Sequence, residues 1–121
     1  MLKFSYAAAI AVSALCALPA SANQGVTDTT VTFAQVAALD GPAAALGTGM
    51  QQGIQAAFEE ANRAGGIHGR QIQLDSMDDG YEPSRSIEQV TSVIESDSYL
   101  AHIGPVGTPT TKATQPLATE V

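Results

Sequence analysis

Hydrophobic and polar positions along this chain follow two different periods, and the switches between them outline its elements. Thr30 to Ala37, TVTFAQVA, is β-branched and apolar with partial alternation, which predicts a strand. A loop, ALDGPAAALG, follows. From Leu46 onward, Met50, Ile54, Ala57, Phe58 and Ala61 recur at helical spacing, while Gln51, Gln52, Gln55, Glu59, Glu60 and Arg63 take the opposite face. Ala64-Gly65-Gly66 stops this helix, because glycine enters the left-handed conformation at little cost. The stretch IHGRQIQLDSM then reads as a tight turn leading into a second strand, with Ile72, Leu74 and Ser76 on one side. Pro83 is placed to open a second helix, continued by Ile87, Val90 and Val93 or Ile94. A short buried strand at Leu100–Gly104 and a third helical segment complete the pattern.

Strand and helix alternate three times. Strands separated by helices of this length form βαβ units, so the fold class is α/β, a parallel open sheet with helices on both faces. Three strands leave an open sheet edge, and the terminal stretch TKATQPLATEV carries no helix-stop signal, so a part of a longer protein is expected. Ligands of open α/β sheets sit at the carboxyl ends of the strands. That rule selects the loops 38–47, 77–83 and 104–111.

The third of these loops carries the most chemistry. In HIGPVGTPTTKATQP, Gly104, Pro105 and Gly107 allow a sharp turn and a close approach of backbone to a ligand. Thr108 is suited to cap a helix, with Pro109 at its first position, where a missing N–H costs nothing. The N–H groups of Thr108, Thr110 and Thr111 would then face an anion. A phosphate loop needs lysine directly after its last glycine, but Thr108 follows Gly107 and Lys112 comes later. A threonine nucleophile needs a base, and His68 and His102 stand alone, one in a glycine turn and one on a strand. No His, Asp and Glu set has metal-ligand spacing, and no cofactor is implied. Two readings stay open for the loop: a cradle for a small carboxylate, or an ordinary capped helix. Asp78-Asp79-Gly80, just ahead of Pro83, reads as capping and loop shaping rather than acid catalysis.

The N-terminus changes the setting. Lys3 precedes an apolar run from Ala7 to Leu18, then Pro19 and Ala20-Ser21-Ala22, which is the build of a secretory signal peptide (residues 1–22) cleaved before Asn23. The run is too short for a membrane span, which disfavours an uncleaved anchor. Cys16 is the only cysteine of the 121 residues and lies within that segment behind the large Leu15, which argues against a lipid anchor. Residues 23–121 therefore hold no disulfide, thiolate metal site or cysteine nucleophile. The net charge is −7, and the cations beyond Lys3 (Arg63, Arg70, Arg85, Lys112) are scattered, so the basic footprint that nucleic acids require is missing.

Taken together, DGPAAALGTGMQQGIQAAFEEANRAGGIHGRQIQL, DDGYEP and IGPVGTPTTKATQP resemble the N-terminal lobe of type I periplasmic binding proteins, in the leucine/isoleucine/valine-binding branch that serves ABC importers. The resemblance implies two α/β lobes joined by a hinge, of which residues 23–121 form part of the first. It implies a small ligand, an amino acid or similar organic acid, bound between them in the periplasm and delivered to an inner-membrane ABC permease, without catalysis. It assigns the ligand's carboxylate to Thr108, with Val106 and Gly107 supplying backbone, and brings Asp40, Gly41 and Leu46 of the first loop to the cleft. Leu46 would form an apolar wall and Asp40 could pair with an ammonium. Thr108-Pro109 stands where many members have two adjacent hydroxyls, so one donor is lost. A ligand-sensing domain of the same fold and an exported hydrolase are the alternatives.

Overall fold

A computed structural model of the protein describes residues 24–119. The expected signal segment lies outside the described residues. The element order is β1 (Thr30–Ala37), α1 (Ala44–Arg63), β2 (Gln71–Asp78), α2 (Pro83–Glu95) and α3 (Thr108–Thr119). β1 and β2 pair in parallel, Thr30 opposite Gln71 through Ala37 opposite Asp78.

The pleat of β1 sorts its side chains onto two faces. Phe33 packs on Phe58 of α1, with ring centroids 5.5 Å apart. Ile72, Leu74 and Ser76 lie in register with Val31, Phe33 and Gln35, so they share the α1 side as expected. Ala34 and Val36 turn the other way and build the core with Val90 and Val93 of α2, with Met77, Ile94, Tyr99 and Leu117 packed around them. Helices therefore cover both faces. On α2 the inward row is Ser86, Val90 and Val93. Ile87, expected inside, is 41% exposed. The third face-covering element, α3, buries Thr110 and Thr114, whose hydroxyls bond back to carbonyls one turn earlier.

α1 ends as its sequence suggests. Gly66 N–H donates to Ala61 O at 2.9 Å and Gly65 N–H to Asn62 O at 3.0 Å, a Schellman closure. Asn62 then ties the helix end to β2, accepting from Ile72 N–H at 2.7 Å and donating to Ile72 O at 2.9 Å. Gly66 itself lies at φ 71°, and a Cβ there would come within 1.9 Å of Arg70 O. Only glycine fits that turn.

The expected third strand is reduced to a fragment. Leu100 N–H donates to Thr32 O, Ala34 N–H to Ala101 O and Ile103 N–H to Ala34 O, at 2.8 to 3.0 Å, with one parallel bridge between Ala34 and His102. The next donor along this edge would be residue 105, and proline has no N–H to give. Val36 N–H turns instead to His102 Nε2, 3.1 Å away. The ladder stops there, and Leu100 is 47% exposed rather than buried.

Candidate functional site

Because β1, β2 and the 100–103 segment run parallel, the turns that follow them leave one edge of the sheet. Those turns are 38–43, 79–82 and 104–107. Local chemistry fixes each of them differently.

The 104–107 turn is gripped from both faces. On the α1 side, Gln35 is fully buried; its Nε2 donates to Gly104 O at 3.2 Å and its Oε1 accepts from Ser76 Oγ at 2.9 Å. Gly104 packs under α1 so tightly that a Cβ would lie 2.6 Å from Ile54 Cδ1 and 3.1 Å from Met50 Cγ. On the other side stands His102. Burial holds its imidazole below the usual histidine range, against the opposing pull of neighbouring Asp79. The neutral ring is also what its geometry needs, since Nε2 must keep a lone pair to accept Val36 N–H. His102 thus closes the end of the ladder.

At the start of α3 the arrangement departs from expectation in three respects. Thr108 is the first helical residue, so it is not the cap; the capping position falls to Gly107 and Pro109 moves to the second helical position. Thr111 N–H donates to Gly107 O at 2.9 Å, which closes the first helical bond and removes it from the set facing outward. Thr110 is buried and its hydroxyl is turned back to Val106 O at 2.8 Å and Gly107 O at 3.0 Å. Among the described residues no hydrogen bond engages Thr108 N–H, the Thr108 hydroxyl or Thr110 N–H. Thr108 itself is exposed. Two backbone donors and one hydroxyl at a helix N-terminus can accept one small anionic group.

The acidic pair does not cap α2, whose N-cap is Glu82 without a side-chain bond. It laces loops together instead. Asp78 Oδ1 accepts from Leu39 N–H at 2.8 Å, Asp40 N–H at 3.1 Å and Gly80 N–H at 3.1 Å, and Oδ2 meets Arg85 Nη2 at 3.1 Å. The Leu39 N–H above all holds this carboxyl below the usual carboxylate range, against partial desolvation and with help from Gly80, Asp40 and Arg85. Asp79, buried, accepts from Tyr81 N–H at 2.8 Å and from Ser86 Oγ at 2.7 Å.

The first-loop candidates sit apart from this. Asp40 is exposed and its Oδ1 accepts from Gly41 N–H at 2.7 Å. Gly41 is exposed at φ 78°. Leu46 is 53% exposed on the first turn of α1. Among the described residues no hydrogen bond joins Asp40, Gly41 or Leu46 to Val106, Gly107 or Thr108. Sequence reasoning missed Gln35, Met50 and Tyr81, which border the 104–107 turn. Tyr81 had a signal: an aromatic directly after Asp-Asp-Gly, in a turn at the ligand end of the sheet. A concavity of about 280 Å³ opens elsewhere, between α2, α3 and the outer side of 99–102, lined by Val90, Ile94, Tyr99 and Leu100 among others. It is not at the loop end.

Residues 30–120 match the model of a periplasmic binding protein family. The chain is 36% identical over 76 residues, 63% of its length, to the Leu/Ile/Val-binding protein BraC3 of Rhizobium johnstonii, covering 20% of that protein. It is 37% identical over 78 residues, again 63% of its length, to the chemotactic signal transduction system substrate-binding protein BasB of Halobacterium salinarum, covering 19% of it. Among solved structures it is similar to the branched-chain amino acid transporter substrate-binding protein LivJ of Streptococcus pneumoniae in complex with isoleucine, at 32% identity and a TM-score of 0.70, covering 76% of this chain and 26% of that one. The chain thus spans about a fifth of the length of the curated relatives it matches.

Proposed function

Since the chain belongs to the periplasmic binding protein family, we propose that it is the solute-binding component of an ABC importer, exported through its N-terminal signal and delivering its ligand to an inner-membrane permease. Residues 23–121 are part of the first lobe, and the ligand is a small carboxylate-bearing solute, an aliphatic amino acid in the first instance. The observation that carries this reading is the start of α3, where Thr108 N–H, the Thr108 hydroxyl and Thr110 N–H are left without partners at the ligand end of a parallel sheet. Val106 and Gly107 supply the turn that presents them. The Leu/Ile/Val-binding relative and the isoleucine-bound one support the ligand class. Asp40, Gly41 and Leu46 form the flank of the cleft, Leu46 as apolar wall and Asp40 as a partner for an ammonium. Binding closes two lobes on the solute and presents it; no bond is made or broken.

The test is titration calorimetry of L-leucine, L-isoleucine and L-valine against the full-length protein and its Thr108→Ala variant. A hydrogen bond to a charged group contributes about 1.5–3 kcal/mol, so Thr108→Ala should bind about ten- to a hundredfold more weakly. Because Thr108 does not cap α3, its melting temperature should stay at the wild-type value. Thr111→Ala, whose N–H is already used in the helix, serves as the control and should bind normally. Unchanged affinity in folded Thr108→Ala would refute the carboxylate role.

The BasB relative favours a second reading, in which the same lobe reports its ligand to a chemotaxis receptor. Deleting the gene separates the two: loss of labelled isoleucine uptake supports import, and loss of chemotaxis with uptake intact supports sensing.

A further inference from the structure

Tyr81 is held in a conformation that a bulky side chain rarely adopts, with φ at 65°. The surroundings over-determine it. Its N–H donates to Asp79 Oδ1 at 2.8 Å, and Asp79 is buried, its other oxygen taken by Ser86 Oγ at 2.7 Å. Glu82 N–H closes the turn on Asp79 O at 3.0 Å. This anchoring fixes where the ring goes. A Cβ built on Gly107 would lie 2.3 Å from Tyr81 Cε2 and 3.1 Å from Cδ2, so the ring rests directly on the Gly107 backbone. Gly107 is the residue whose carbonyl accepts both Thr111 N–H and the Thr110 hydroxyl and so begins α3. Strain kept by a buried network, at the ligand end of a sheet, points to a task other than stability.

We propose that Tyr81 is a positioning residue: its ring holds Gly107 in place and thereby aims the donors of Thr108 and Thr110 at the ligand. The carboxylate part of this rests on the function proposed above; the contact between ring and turn does not. Backbone donors cannot change rotamer to follow a displaced ligand. A shift of the Gly107 turn therefore misdirects both N–H groups together, and the ring is what opposes that shift.

The test uses the full-length protein with Tyr81→Gly, Tyr81→Asn and Tyr81→Phe. Glycine, and to a lesser degree asparagine, accept positive φ, so both variants should fold at least as stably as wild type. A purely structural role for Tyr81 would leave their binding alone. The expected result is instead faster hydrogen exchange at the Thr111 amide, the one bonded to Gly107 O, in ligand-free Tyr81→Gly and Tyr81→Asn, about tenfold weaker isoleucine binding, and wild-type behaviour of Tyr81→Phe. Gly107→Ala adds a second arm. It should weaken binding alone, and pairing it with Tyr81→Gly should lose less than the product of the two single losses, because the clash partner is gone. Wild-type exchange at Thr111 in Tyr81→Gly overturns the proposal. If wild-type protein binds none of the three branched-chain amino acids, the proposed ligand class fails, and the exchange experiment still decides the role of Tyr81.

Discussion

The turns at 38–43 and 104–107 leave the same edge of the sheet and are built in opposite ways. The 104–107 turn is enclosed by side chains from four other segments: Gln35 on its first carbonyl, Met50 and Ile54 against Gly104, Tyr81 on Gly107, and Thr110 on its last two carbonyls. The 38–43 turn is tied at its root, where Asp78 takes the N–H groups of Leu39 and Asp40, and then opens to solvent. The difference follows the work each turn can do. Fixed backbone donors recognise an anion only if their direction is set in advance, so protein side chains must set it. An apolar wall, the role proposed for Leu46, acts by contact area, which tolerates movement, and a lone acid, as proposed for Asp40, acts over a longer range. Under the function proposed above, the enclosed turn is the cradle and the open one the flank.

The strongest way to break this comparison is to show that the first turn is loose at its root as well. Gly47, in the first turn of α1, is buried, and a Cβ there would stand 1.9 Å from Ala38 O, a backbone atom with nowhere to go. Gly49, two residues on, has nothing within 4 Å. Gly47→Ala should destabilise by about 1–3 kcal/mol through overpacking, while Gly49→Ala should stabilise by about 0.5–1 kcal/mol through helix propensity alone. Chemical denaturation of the two variants checks both signs. Equal effects would mean that α1 does not seat on the end of β1, and the flank would have no fixed floor.

A smaller effect sharpens the contrast between the turns themselves. Gln35→Leu keeps the volume but leaves Gly104 O and Ser76 Oγ without their partner in a partly buried place, at a cost of about 1–3 kcal/mol. Asp40→Ala removes only a local bond on the surface and should change stability by no more than about 0.5 kcal/mol. A large loss at Asp40 with none at Gln35 would invert the assignment of cradle and flank.

Much of this architecture was legible from local pattern. β1 runs over the same residues, Thr30–Ala37, that its β-branched run predicts, and Ala64-Gly65-Gly66 ends α1 as glycine chemistry requires. What escaped depends on partners distant in sequence. Ser86 is inside because Asp79 accepts its hydroxyl, and Ile87 is displaced outward by that choice; no helical period contains this information. The third strand fails through Pro105, a residue visible in the sequence whose effect appears only once the register against β1 is known. The turn at 104–107 was legible because the glycine-rich run that makes it is local. Tyr81 was not, because its contact with Gly107 crosses from one turn to another.

The smallest effect distinguishes the two turns by pH. His102, beside the cradle, has its proton affinity lowered by burial, so the unfolded chain takes up a proton first as the solution acidifies. Its contribution is intact above the ordinary histidine value of about 6.5 and is lost as pH falls from there through its lower folded value. Asp78, at the root of the flank, is also lowered, from 3.8, chiefly by the Leu39 N–H. Its contribution is intact above that value and is lost only as pH falls below it through the folded one. Both signs are the same, stability falling with acid, but the His102 window opens at the higher pH. Amide exchange followed from neutral to acid pH, with each amide normalised to its intrinsic chemical rate, should therefore loosen Val36 and Ile103 first, then Leu39 and Asp40. His102→Gln, whose side-chain oxygen can still accept Val36 N–H, should abolish the first step and leave the second. Asp78→Asn should do the reverse. If the protection of Val36 and Ile103 in wild type is flat from neutral pH down to the carboxylate range, His102 does not close the ladder that holds the cradle, and the two turns differ less than their hydrogen bonds imply.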